Sequence, residues 1–152
     1  MTSDLRGLLE GERLGVLSTL SARRGGCPFA SLAPYALSER GEPLLLLSDL
    51  AEHTRNIRAD SRASLLVHDS EALEDPQAGA RLTVLGKVEP LTGSDLVRAR
   101  SLYLEKHPQA DAYFAMADFK LYVLRVNEAR FINGFGDMGW ITADRLQKEL
   151  AT

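Results

Sequence analysis

The chain has a single cysteine, Cys27, three histidines and six prolines in 152 residues, and aromatic residues make up only 7% of it. One cysteine forms no internal disulfide, which fits a reducing compartment. No stretch approaches the ~18 consecutive apolar residues of a membrane span. The opening run MTSDLRGLLEGE lacks the basic-then-apolar order of a secretory leader. A cytoplasmic location is therefore the expectation. Positive charge is not in excess: the formal net charge is −3, whereas neutralising phosphates requires clustered Lys and Arg. A nucleic-acid surface is not expected. His53, His68 and His107 fall on three different predicted elements without metal-ligand spacing, so no zinc or iron site built from side chains is expected. GxSxG, P-loop and GxGxxG patterns are absent. The glycines of GFGDMG stand at the wrong intervals for a dinucleotide fingerprint and follow no βαβ unit.

What is present is ordinary for a soluble globular chain: 45% apolar and 26% charged residues. Residues 1–152 read as one domain, long enough to bury roughly 70% of the unfolded surface. Leu5, Leu8 and Leu9 share one face of a helix over residues 3–10, which Gly11 stops. Alternating apolar positions predict strands over residues 13–21, 27–38, 62–69, 80–92 and 119–132. PLLLLS at 43–48 reads as a short strand buried on both faces. Pro28 and Pro34 mark edge or irregular pairing in the second strand, and Gly86 is a point for the fifth to bend. Helices are predicted over 48–60, with Asp49 and Glu52 resembling a capping box, over 94–107 capped at Ser94 or Gly93, over 110–117, and over 142–151 capped by Thr142. The turns ARRGG and ERGEP join the first three strands as antiparallel neighbours. That order suits a mainly β fold, a six-stranded antiparallel barrel with helical additions, and not a parallel sheet.

Two segments stand out for chemistry. At Ser48 a strand gives way to a helix, and a helix start offers unpaired N–H groups to an anion. His53, Thr54, Arg55, Asn56 and Arg58 follow within ten positions. The same residues serve equally as a solvated helix face. A helix terminus contributes about 0.3–1 kcal/mol to an exposed anion and up to ~2 to a buried one, whereas micromolar affinity needs about 8. An anchored ligand must therefore bury an apolar part elsewhere. FINGFGDMGW, residues 131–140, offers Gly134, Gly136 and Gly139 for close backbone approach and Phe135 or Trp140 to cover a ring. It reads equally as a turn into the last helix with two packed aromatics. Cys27 has no CxxC partner and reads as an inert thiol. Asp69, Glu71, Glu74 and Asp75 read as a solvated acidic loop.

In this order, PFASLAPYAL, PLLLLSDLAEHTRNIRADSRASLLV and ARLTVLGKVEPL resemble the pyridoxamine 5′-phosphate oxidase-like FMN-binding split barrels. FINGFG followed by Trp140 resembles the branch related to haem-utilisation proteins. The resemblance runs from about Leu14 to Trp140. It implies a six-stranded antiparallel split barrel and a homodimer with FMN at the interface. Ala30, Ser31 and Leu32 would face the flavin through backbone and side chain, and Ser48, His53, Thr54 and Asn56 would hold its phosphate. Arg81 would approach the ring's polar edge, and Trp140 and Phe135 would come from the second subunit. The implied function is a flavoprotein oxidoreductase acting on a small organic molecule, with no catalytic residue assigned. The Arg-Leu-His-x-Arg substrate motif of the true oxidases is replaced by WITADR, so vitamin B6 oxidation is not implied. The alternatives on the same fold are a haem-binding or haem-degrading protein, a deazaflavin in place of FMN, and a non-catalytic dimeric binding module.

Overall fold

The computed structural model describes residues 2–72, 74–134 and 136–151. Helix α1 (Thr2–Gly11) leads into strand β1 (Leu14–Leu20), followed by β2 (Pro28–Pro34), β3 (Ala36–Leu37), β4 (Pro43–Ser48), α2 (Glu52–Ala59), β5 (Arg62–His68) and β6 (Ala80–Pro90). Helices α3 (Gly93–Lys106) and α4 (Asp111–Phe114) precede the long strand β7 (Phe119–Asn133), β8 (Met138–Thr142) and α5 (Ala143–Ala151). All strands join one antiparallel sheet in the order β2-β1-β5-β6-β7-β4-β3, and β8 pairs with β7. The mainly β class and the antiparallel barrel are as expected. The sheet has eight strands instead of six. Pro34 lacks an N–H and ends β2, and the next residue, Tyr35, is fully buried and donates its hydroxyl to Leu9 O at 2.6 Å. The expected second strand is thereby cut in two, and only its short second piece, β3, pairs with β4.

The sheet curls around one apolar core. Leu17, Leu45, Leu65, Leu82, Val84, Leu124 and Phe131 project into it, and Leu5, Leu8 and Leu9 of α1 cover one end. A second cluster forms where Leu44, Leu121 and Val123, on the other side of β4 and β7, meet Ala99 and Tyr103 of α3. PLLLLS is thus buried on both sides, as its unbroken apolar run predicts.

Strand β7 shares one edge with two partners. Residues Phe119 to Val123 pair with β4, and Glu128 to Ile132 pair with β8. Its other edge pairs with β6 from Tyr122 to Asn133, with a bulge: Leu85 faces Glu128 while Gly86 faces Val126. A bulge bends the strand and increases its twist. The bend comes where Gly86 predicts it, because a Cβ on Gly86 would overlap Arg125 O.

Three local expectations are corrected. Asp49 and Glu52 do not form a capping box: α2 begins at Glu52 after Ala51, which makes no side-chain cap bond, and Asp49 instead pairs with Arg58 and Lys120. Leu50 precedes the helix and is exposed, while Thr54, Asn56 and Ile57 are buried. The glycines of the late segment turn a β-hairpin: Gly134 and Gly136 take φ of 70° and 92°, and Asn133 N donates to Asp137 O at 2.8 Å. Thr142 does cap α5, accepting from Arg145 N at 3.3 Å. Replacing Gly86 by Ala forces the β6–β7 backbones apart. It is expected to cost about 1–3 kcal/mol of stability, read as a lower urea midpoint.

Candidate functional site

Strands β2 and β4 approach each other without a shared ladder, and α2 lies across β1 and β2 beside this gap. A residue of α2 therefore reaches β2 directly. His53 Nδ1 lies 3.1 Å from Ser31 Oγ. The imidazole is half-buried, and its burial lowers its pKa below the ordinary histidine value. Thr54, one residue on, is fully buried, and its Oγ1 has no hydrogen-bond partner among the described residues.

Asn56 has a different role from the one the resemblance implies. It is fully buried, Nδ2 donates to Thr19 Oγ1 at 3.0 Å, and Oδ1 accepts from Ala22 N at 3.0 Å. Its amide ties α2 to β1 and the following turn and is closed to a phosphate. Ser48 is also engaged: its hydroxyl donates to Asp118 Oδ2 at 2.9 Å and accepts from Leu50 N at 3.1 Å. Two nearby cations are committed to Asp49, which accepts from Arg58 at 2.6 Å and Lys120 at 3.1 Å, while Arg55 lies 3.9 Å from Glu52. The Lys120 hydrogen bond is the first cause of Asp49's lowered pKa.

Strand alternation separates the remaining candidates. Ser31 faces α2, whereas Ala30 and Leu32 project from the opposite side of the sheet, and Leu32 is 70% exposed. Leu32 begins a transverse row of register partners, Leu32–Val16–Leu66–Thr83–Arg130–Trp140, that crosses six strands on that outer face. Trp140 ends the row, 56% exposed, with the Arg130 guanidinium 5.6 Å from its ring centroid. Arg81 lies on the same face between His68 and Ile132. Strands are spaced ~4.8 Å apart, so the two ends of the row are far apart along the sheet. The chain brings Ser31, His53 and Thr54 together and keeps Trp140 away from them. Phe135 lies outside the described residues. Thr19 and Asp118 were not foreseen as partners. Thr19 signals itself only as a hydroxyl in the inward alternation with Leu17, and Asp118 gives no local signal.

A family model described as CREG, beta-barrel, matches residues 3–148. The chain belongs to the CREG β-barrel family. Among proteins similar to this family member is the Non-canonical heme oxygenase HOZ, chloroplastic, of Arabidopsis thaliana, 32% identical over 133 residues that cover 86% of this chain and 40% of that protein. A solved heme binding protein from Mycobacterium smegmatis superposes with a TM-score of 0.88 at 34% identity, over 97% of this chain and 60% of the other. Both relatives are thus considerably longer than this chain. A Clostridium acetobutylicum protein described as belonging to the pyridoxinephosphate oxidase family superposes with a TM-score of 0.70 at 12% identity, which shows the shared fold. The resemblance to the split barrels and to their haem-utilisation branch therefore holds for this CREG β-barrel. No helix among its described residues is long and apolar enough to cross a membrane.

Asn56 and Thr54 make opposite stability predictions. Asn56→Leu strands Ala22 N and Thr19 Oγ1 and is expected to cost about 1–3 kcal/mol. Thr54→Val removes a hydroxyl that bonds to nothing described, so the chain is expected to be as stable or more so. Paired urea titrations read both; a large loss for Thr54→Val would show that its hydroxyl is bonded in the folded chain.

Proposed function

We propose that this chain binds haem beside the gap between β2 and β4, where His53 would hold the iron, and that a second copy of the chain packs against the outer face. One observation carries the reading: His53 is a half-buried imidazole with Nδ1 against Ser31 Oγ, and Nε2 has no hydrogen-bond partner among the described residues. Metal-ligating histidines almost always engage their other ring nitrogen, which fixes the tautomer and the ring. With Nδ1–H donated to Ser31, the Nε2 lone pair is left for iron. Burial acts in the same direction, since it holds the ring neutral to lower pH than a free imidazole. Two relatives at 32% and 34% identity carry haem in their names, which supports this group over FMN. Haem, when bound, would supply the redox-active iron. The protein would supply the base, its orientation and an apolar cover.

The second copy is argued from the outer face, on the other side of β2 from Ser31. Leu14, Leu32, Met138 and Trp140 are exposed on one side of the same six strands. Apolar surface gathered on one face marks an interaction site. A second copy packed there would bring its Trp140 to the Leu32 end, which one chain cannot do.

FMN is the second reading, favoured by the orphan hydroxyl of Thr54 in the first turn of α2. A phosphate oxygen there would supply the missing partner. The committed cations at Asp49 are the main feature against it.

Haem titration is expected to give a Soret band that His53→Ala abolishes. Ser31→Ala should weaken binding by about 10-fold, and His68→Ala, on the outer face, should leave the band unchanged. The neutral ring predicts that the band persists as pH falls to the ordinary histidine range near 6.5 and is lost only below it. No Soret band, together with a flavin spectrum that Thr54→Val weakens, would favour the second reading. Leu32→Glu is expected to convert a dimer into a monomer by sedimentation; a wild-type monomer would remove the second copy from the proposal.

A further inference from the structure

Away from this site the chain holds one unusual primary amine. The other lysines, Lys87, Lys120 and Lys148, are exposed, whereas Lys106 in the last turn of α3 is half-buried. Its Nζ lies 4.1 Å from the centroid of the Tyr35 ring, and its hydrogen bond to Leu9 O is long, at 3.4 Å. No carboxylate among the described residues lies within ion-pair distance of it. The side chain borders a cavity of about 390 Å³ walled by Leu37, Leu102 and Leu150, with Glu10, Glu39 and Glu105 also lining it.

We propose that Lys106 is a carbonyl-reactive amine that forms a reversible Schiff base with a small uncharged aliphatic aldehyde held in this cavity. The neutral Nζ donates its lone pair to the carbonyl carbon, and the C=O π pair moves to oxygen, which takes up the proton that nitrogen loses. Loss of water then breaks the C–O bond and leaves C=N. Nothing is oxidised or reduced. The apolar walls suit an alkyl chain, and the three glutamates disfavour an anionic aldehyde.

The protonation balance supports the geometry. Burial, then the Arg13 charge, pushes the Lys106 pKa down to about 8, while Glu12 and Glu10 pull it upward. The other groups on this side are Tyr35, Glu39, Glu105 and His107; α5 contributes Leu150. A desolvated lysine is a far better nucleophile at neutral pH than an exposed one, which is almost wholly protonated. The proposal does not depend on the haem reading.

The test treats the whole chain with butanal and cyanoborohydride at about pH 7.5, which lies below the ordinary lysine value, and maps alkylation by peptide mass spectrometry. Lys106 is expected to label at least about tenfold faster than Lys87, Lys120 or Lys148. Lys106→Arg should remove the fast phase. Even labelling of the four lysines, or slowest labelling at Lys106, overturns the proposal without reference to any variant. With glyoxylate the preference for Lys106 should narrow; a wider preference would overturn the uncharged class of ligand.

Discussion

The architecture depends on one close approach, where the backbone of β6 at Gly86 passes beside Arg125 of β7. A side chain at that point would push the strands apart, and without the bulge β7 would run straight. Because it bends, the two halves of one edge can serve different partners, β4 before the bulge and β8 after it. This places β4 so that it faces β2 across an unpaired gap. Helix α2, which follows β4 after three residues, then lies beside that gap and within reach of Ser31. The position of His53 is thus a consequence of a glycine thirty-three positions later in the chain.

Much of this was legible in the sequence, for identifiable reasons. Period-two runs predicted the strands because each is buried on one face. The continuous apolar run PLLLLS announced burial on both sides. Gly86 announced the bend. What failed were inferences about polar residues, whose partners lie far away in sequence. Asp49 has the position of a helix cap, but Arg58 and Lys120 compete for its carboxylate, and two charge-assisted bonds outweigh one backbone N–H. Asn56 looks like a surface donor until Thr19 and Ala22 are seen to enclose it. Along Ala30, Ser31 and Leu32, alternation sends the Ser31 side chain to one side of the sheet and its neighbours' to the other.

That alternation also gives the site its logic. The candidate residues fall in two groups, one at the gap and one on the outer face, and the strands β1, β5, β6 and β7 lie between Leu32 and Trp140. Within one chain the groups are held apart by the same ladder that makes the barrel rigid.

Asn56 and Thr54 show how one helix can divide its polar side chains between folding and binding. Both are fully buried, two positions apart in α2. The Asn56 amide is bonded through both its atoms, so it holds α2 at a fixed height over β1. The Thr54 hydroxyl has no partner among the described residues, and a buried unsatisfied hydroxyl costs about 1–3 kcal/mol. A valine would fill nearly the same volume without that cost. Packing alone therefore gives no reason for a hydroxyl at this position.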